Sequence, residues 1–469
     1  MKMKVFFIIP PEKGIVDKPT SPQRGIACLA AAVREKKHDV GILDMRLGYS
    51  REDMLDKVKE FNADLVCITT VTTDHKKVYE MVDLLKEKGF KVALGGPHVS
   101  AFKKKVIEDT KADYAVKREG EGALVKLCNG EDPKTIKGLI YRDDNQVVEN
   151  EDDLFVREPD EMAFPAFDLF ELDKYIDRKL PIITSRGCPY RCTFCSINLT
   201  SGFMFRPRSA KNVVDELEHW YKKGYKYFGF NDDNFTLLPE RAEEICDQII
   251  ERGLKIKWEL RNGIRIDKVN ERLLRKMKNA GCMYVAFGVE SADQEVLDNI
   301  KKGITAEKAK EAILLADKVG IKKGAFFIVG LPGDTYQKFM KTLKWALKLP
   351  LDEVRFYNAI PYPATDFYKW VEENARWIIS PDVYMNSIGS FDDQPIFETD
   401  DFTKEERIKA TKVSQAYMMK YLMKREFGSV LGEIGYLAWK PEFTRKYVFN
   451  VGKKMWTALR VLKTKISEG

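Results

Sequence analysis

Histidine is scarce: His38, His75, His98 and His219 are the only four in 469 residues, too few and too scattered for histidine-based metal chemistry. Cysteine is sparse as well. Eight thiols in a chain of this length exclude a disulfide scaffold, which is short and cysteine-dense, and fit a reducing, cytoplasmic compartment. No apolar run approaches the ~18 residues that span a bilayer, and 44% hydrophobic with 32% charged residues is ordinary globular usage. The start, Met1-Lys-Met-Lys-Val5-Phe-Phe-Ile-Ile-Pro10, sets basic residues before an apolar run. That run is too short for a secretory signal and has no small-residue cleavage site, so it reads as a first buried strand. Internal repeats and low-complexity segments are missing too, which leaves ordinary domains, roughly three by length.

What is present is concentrated in one loop. In Pro181-Ile-Ile-Thr-Ser-Arg-Gly187-Cys188-Pro-Tyr-Arg-Cys192-Thr-Phe-Cys195-Ser-Ile-Asn198, a β-branched strand breaks at Gly187 into a segment spaced C-x3-C-x2-C. Cysteine thiolates normally occupy all four irons of a 4Fe-4S cluster, so three of them leave one iron open to a chelating small molecule. The alternative, a zinc site, needs a fourth ligand, and no further cysteine or histidine lies within twenty residues of Cys195. The segment resembles the radical SAM superfamily, in which the open iron binds the amino and carboxylate groups of S-adenosylmethionine. Cys188, Cys192 and Cys195 are then the expected cluster ligands.

Around this loop the chain alternates short apolar runs with helix-period segments, which predicts an α/β fold. Val5 to Ile9, Val40 to Leu43, Leu65 to Thr70, Val92 to Leu94 and Tyr114 to Val116 read as strands of a doubly wound parallel sheet over residues 1–135. Residues 136–175 read as a β-hairpin, Gly138 to Val148, and an extended linker, Pro159 to Pro165. Strands beginning at 181, 226, 256, 283, 324 and 353 predict a partial (β/α)6 barrel over 176–375. Barrels of this type build their sites from the loops at the C-terminal strand ends, and the cysteines fall in the first such loop. A helical region, 376–469, follows, with an amphipathic helix from Phe402 to Phe427 opened by the capping box Thr403-Lys-Glu-Glu406.

The later loop tips suit a polar, ionic ligand. Asn231-Asp232-Asp233-Asn234 follows strand two, where the resemblance implies a pairing of a carboxylate with the amino group of the methionine moiety. Arg261 and Arg265 follow strand three and offer planar donors to a carboxylate. Gly288-Val-Glu290-Ser291 follows strand four and suits ribose hydroxyls, while Gly330-Leu-Pro332-Gly333 follows strand five and permits close backbone approach to an adenine. Phe194 stands where the family usually bears an aromatic residue near the adenine. Each of these also reads as a cap, a turn or a helix start.

The first domain resembles the cobalamin-binding domain fused to many radical SAM enzymes. The resemblance rests on Thr20-Ser21-Pro22, Leu43-Asp44, Thr69-Thr70-Val71-Thr72-Thr73, Gly95-Gly96-Pro97-His98 and Gly120-Glu121-Gly122. Small hydroxyl and glycine residues line the carboxyl edge of such a sheet, where nucleotide-like ligands bind. The resemblance therefore implies cobalamin contacts at Ser21, Thr69, Thr70, Thr72, Gly95, Gly96, His98, Gly120 and Glu121. The string Asp-x-His-x-x-Gly, whose histidine ligates cobalt in many cobalamin proteins, is absent, as it commonly is in the radical SAM branch. A flavodoxin-like domain that only docks the barrel is the alternative.

Together the resemblances imply a cobalamin-dependent enzyme that forms a 5'-deoxyadenosyl radical and methylates an unactivated carbon. A flavodoxin- or ferredoxin-type electron donor is expected, and nucleic acid is not. Three other functions stay open: oxidative ring closure, as in the anaerobic cyclase of chlorophyll synthesis; transfer RNA methylthiotransfer; and a non-catalytic cobalamin or redox sensor. Methylthiotransferases bind a second cluster through three N-terminal cysteines, but Cys28 and Cys67 sit in apolar patterns where a lone thiol acts as a small hydrophobe. From Lys440 to Gly469, eight basic residues face two acidic ones, nearly the whole +7 excess. Val448, Val451, Met455, Leu459, Leu462 and Ile466 form an apolar stripe beneath them. Such a helix can lie at the inner membrane surface or pack on the barrel. The interfacial reading makes a lipid substrate attractive, and neither reading identifies the substrate.

Overall fold

The computed structural model describes residues 2–11, 19–144, 146–153, 155–386 and 394–439. Two compact units emerge. The first comprises Met1–Trp258 with Pro361–Glu373 and Ile379–Phe391, and the second comprises Glu259–Ile360 with Asn374–Ile378 and the chain from Asp392 onward.

The first unit is built on a seven-stranded sheet. Its strands are β1 (Lys4–Ile9), β2 (Asp39–Asp44), β3 (Leu65–Thr69), β4 (Val92–Gly95), β5 (Tyr114–Val116), β6 (Leu139–Asp143) and β7 (Gln146–Glu149), in the order β2-β1-β3-β4-β5-β6-β7. The first five are parallel, with Val5 opposite both Val40 and Leu65, and Cys67 opposite Ala93. Helices supply both faces, so these strands are apolar without alternation: every residue of β1 after Lys4 is buried. The helix Arg51–Phe61 starts at a capping box in which Ser50 and Asp53 satisfy each other's backbone N–H. Cys28, Cys67 and Cys128 are buried here, and burial raises the pKa of each thiol, that of Cys128 to about 12.

The hairpin departs from the expectation that grouped it with the linker. β6 pairs antiparallel with β5, Ala115 opposite Ile140, and carries β7 on its outer side. Without it, the three-residue β5 would end the sheet as an open edge; Leu139 and Ile140 are fully buried against it.

A second parallel sheet follows, with strands beginning within two residues of the predicted positions. In the first unit, β8 (Lys179–Ile182) pairs with β11 (Tyr227–Phe230). Between them lies a short antiparallel ribbon of β9 (Ser185–Arg186) and β10 (Arg206–Pro207). Phe230 stacks on Trp258 at 4.6 Å between ring centroids and meets the edge of Phe235 at 5.5 Å. After β12 (Lys257–Ile264), the second unit pairs β13 (Cys282–Glu290) with β14 (Lys322–Val329) and β14 with β15 (Glu353–Asn358), all parallel. The helix Lys404–Trp439 opens as predicted: Thr403 N donates to Glu406 at 3.2 Å, and Glu406 N donates to Thr403 Oγ1 at 3.4 Å. Gly428, at φ 78°, breaks it just past the predicted end at Phe427. The basic amphipathic segment 445–469 lies outside the described residues, among which no helix is long and apolar enough to cross a membrane.

Phe230→Ala is expected to lower stability by about 3–5 kcal/mol, since the lost ring leaves a cavity beside Trp258. Thr403→Ala should cost only about 1 kcal/mol for one helix cap. Urea unfolding followed by tryptophan fluorescence ranks the two.

Candidate active site

The cysteine loop is held at its entrance by the end of β11. Asp232 is buried, and its Oδ1 accepts from Thr184 N at 2.8 Å, Thr184 Oγ1 at 3.0 Å and Ser185 Oγ at 2.7 Å. Asp233 Oδ2 accepts from Gly187 N at 2.9 Å. Gly187 has φ 80°, and any Cβ there would collide with the Met204 carbonyl. Cys188 N donates to Gly202 O at 3.2 Å, and Cys195 N donates to Cys192 O at 3.1 Å. The three thiols and Phe194 are half-buried. Burial raises the Asp232 pKa against the pull of Arg241 and three hydrogen bonds. Burial, aided by the charge of Asp232 and opposed by the Gly187 N–H, lifts Asp233 to about 6.

Asp232 has a structural task beside the one expected of it: its Oδ1 is committed to Thr184 and Ser185 and so anchors the loop, while Oδ2 is left buried without a hydrogen-bond partner. Thr193 Oγ1 and Asn198 Oδ1, both in the loop, are likewise buried and unpartnered. Buried polar atoms are rarely left so, and together with three thiols on eight residues they fit an iron-sulfur cluster with a polar ligand.

Beside the loop, within the first unit, lies a cavity of about 290 Å³. One wall is made by Thr69, Gly95 and Gly96 at the ends of β3 and β4, with Gly120 and Glu121 beyond β5. The facing wall is made by Ser185, Arg186, Thr200, Ser201 and Asp233. Gly96 has φ 98°, and a Cβ there would stand 2.8 Å from Thr70 O. Gln23 Oε1 and Arg24 Nε line the cavity and are buried with no partner. Such a space fits a cofactor with amide side chains, which offers both donors and acceptors.

Not every expected contact is there. Thr70 and His98 are buried inside the domain, and Ser21 and Thr72 also lie outside the cavity wall. The turn at Gly96 sends His98 into the helix Pro97–Phe102, where it stacks on His75 at 4.6 Å and hydrogen-bonds Tyr79 at 2.9 Å. Burial, with His75 adding to it, pushes its pKa down to about 3, so the imidazole stays neutral.

In the second unit the expected rim residues are satisfied by neighbours. Glu290 adopts φ 66° and pairs with Lys302 at 2.7 Å, while Arg265 holds Asp267 at 2.8 Å and the Lys302 carbonyl at 2.7 Å. Arg261 lies inside β12, not after it, and pairs with Glu259 and Glu353. Ser291 is buried; its hydroxyl meets Thr342 at 3.2 Å and accepts from Asp293 N at 3.1 Å, which makes it a structural turn residue. Gly330, at φ 89°, has no room for a Cβ against Arg407, and the Pro332 carbonyl accepts from Asn299. Sequence reading missed Gln23, Arg24 and Arg186. The first two directly follow the recognised Thr20-Ser21-Pro22, and Arg186 precedes Gly187 and the first cysteine.

Residues 182–346 match the family described as the Radical SAM superfamily, and residues 15–128 match the B12 binding domain. An uncharacterized methyltransferase of Pyrococcus horikoshii is 33% identical over 437 residues, covering 90% of this chain and 93% of its own length. The anaerobic magnesium-protoporphyrin IX monomethyl ester cyclase of Cereibacter sphaeroides is 28% identical over 76% of this chain, and the match spans 61% of that relative's length. Among solved structures, the cobalamin-dependent S-adenosylmethionine radical enzyme OxsB, with aqua-cobalamin and S-adenosylmethionine bound, shares the fold. Its TM-score is 0.75 at 18% identity, over 95% of this chain and 71% of its own.

Asp233 carries a pH signature. Its pKa rises from 3.8 in the unfolded chain to about 6 in the fold, so the native state holds more protons between those values. The contribution of Asp233 to stability therefore falls as pH rises from about 4 to about 6, by up to roughly 3 kcal/mol, and is constant above. Asp233→Asn keeps an acceptor for Gly187 and removes the titration. In cofactor-free protein its urea midpoint should gain on wild type as pH rises through that window.

Proposed function

The chain belongs to the radical SAM enzymes that carry a B12-binding domain, and from that premise we propose that it methylates an unactivated carbon of a small organic molecule or lipid. One observation carries the reading. A single cavity is walled on one side by Thr69, Gly95 and Gly96 and on the other by Ser185 and Arg186, three and two residues before Cys188. When bound, the 4Fe-4S cluster with S-adenosylmethionine supplies radical hydrogen abstraction, and cobalamin supplies the transferable methyl group.

The chain's own part is to hold and orient. Cys188, Cys192 and Cys195 would ligate three irons, and Asp232 and Asp233 keep the first of these cysteines in place through Thr184, Ser185 and Gly187. Gly95 and Gly96 let a bulky ring approach the backbone, and Gln23 and Arg24 offer an acceptor and a donor to its amide fringe. An electron donor of the flavodoxin or ferredoxin type completes the proposal. A second reading, oxidative ring closure, is favoured by the likeness to the Cereibacter cyclase.

Mass spectrometry of metabolites and lipids from cells with and without the gene separates the two readings. Gain of one methylene supports methylation, and loss of two hydrogens supports ring closure. In anaerobically reconstituted protein, replacing all three loop cysteines by Ala should abolish iron binding and deoxyadenosine formation. A full cluster in that variant would move the assignment elsewhere. Gly96→Val should block hydroxocobalamin binding while iron content is kept, as measured by absorbance titration. We also propose that residues 445–469 contact anionic lipid. Deleting them should abolish sedimentation with anionic vesicles and leave deoxyadenosine formation intact.

A further inference from the structure

The ribbon that carries the cysteine loop is gripped by two carboxylates from the cavity rim. In that ribbon Arg186 of β9 stands opposite Arg206 of β10. The cysteine loop leaves from β9, and the turn 201–204 leads into β10. Glu119 binds Arg206 with both oxygens, at 2.7 and 2.8 Å, and Glu121 binds Arg186 at 2.7 Å. A longer contact of 3.5 Å links Arg186 to Glu119. Arg206 also donates to the Ser201 carbonyl at 2.7 Å and the Val156 carbonyl at 2.8 Å, so the turn that accepts Cys188 N–H at Gly202 is fixed from the same side.

These four side chains are between 2% and 13% exposed, and their charges balance two against two. Burial opposes ionisation of Glu121, but the charge and hydrogen bond of Arg186 outweigh it and hold the carboxyl below its ordinary value. A buried ion pair is weak evidence for stability, because well-packed apolar residues often serve as well. What the pair secures is geometry. Glu119, Glu121 and Arg186 all line the cavity, and Arg186 lies two residues before the first cysteine. The cavity wall and the root of the loop therefore cannot shift independently.

We propose that Glu119 and Glu121 are positioning residues that lock the cysteine loop to the cobalamin cavity, so that filling either site orders the other. The inference rests on the reading of the cavity and the loop given under Proposed function. Ordering by one ligand lowers the ordering cost of the second, and such coupling is reciprocal.

The test is the dissociation constant of hydroxocobalamin, by absorbance titration, for iron-free and cluster-loaded full-length protein. Wild type should bind at least about fivefold more tightly when the cluster is loaded, the lower end of ordinary coupling. The double variant Glu121→Leu/Arg186→Met removes the pair without stranding a charge. Its ratio should fall to about one, with iron content and unfolding midpoint near those of wild type. Glu119→Asp keeps the charge but shortens the reach, and its intermediate ratio carries the same test if the double variant does not fold. A wild-type ratio of one, or an unchanged ratio in the variants, overturns the coupling and leaves the cofactor reading standing. Wild type that binds no cobalamin in either state overturns both.

Discussion

One carboxylate oxygen, Asp232 Oδ1, accepts three hydrogen bonds from Thr184 and Ser185, and the cysteine loop hangs from that junction. A buried acid is costly unless its lone pairs are used, so the loop's root cannot leave Asp232 without stranding a buried polar group. Asp233 repeats the arrangement at Gly187, and the collision awaiting any side chain at Gly187 leaves the backbone only one path into Cys188. The site is thus built from the end of β11 backward to the end of β8, two parallel neighbours whose register brings Phe230 opposite Ile182. Precision at a functional loop comes from supporting contacts of this kind, since a loop has no ladder of its own.

The second unit solves the same problem with strain. Glu290 occupies the left-handed region at the end of β13, a conformation that costs on the order of 1–3 kcal/mol for a residue with a side chain. It is kept there by the ion pair with Lys302, while Arg265 holds the Lys302 carbonyl. Gly288 has no side chain for a simple reason: a Cβ there would stand 2.7 Å from Glu290 Oε1. The connections after two successive strands, β12 and β13, therefore interlock before any ligand arrives.

The element pattern was legible because it is local. Strand starts fell within two residues of expectation, and Thr403 with Glu406 marked a helix start through chemistry contained in four residues. The hairpin was equally legible as a hairpin, yet alternation and turn residues do not say which strand it will join, and β5 ends at Val116, well upstream of Leu139. The site residues that proved to have internal partners share one ambiguity. Asp232, Ser291 and His98 are polar groups at strand ends, where a ligand contact and an internal hydrogen bond look identical in sequence. Only the positions of Thr184, Thr342 and Tyr79 decide between them. Cys28 and Cys67 were read correctly as small hydrophobes, since their neighbours' periodicity already placed them indoors.

Those interior thiols bear on how a cluster would find the right cysteines. Cys28 and Cys67 line the same cavity that the loop borders, so proximity alone does not exclude them as iron ligands. The thiolate is the ligand form, and burial raises the pKa of both, with no cation near Cys67 to offset it. At Cys28 the charges of Arg24 and Arg186 pull the other way and do not win. Loop cysteines are half-buried, within reach of water that can take their protons. The expected selection among thiols is therefore by solvent access, with Cys28 and Cys67 held in the protonated form in the cavity wall.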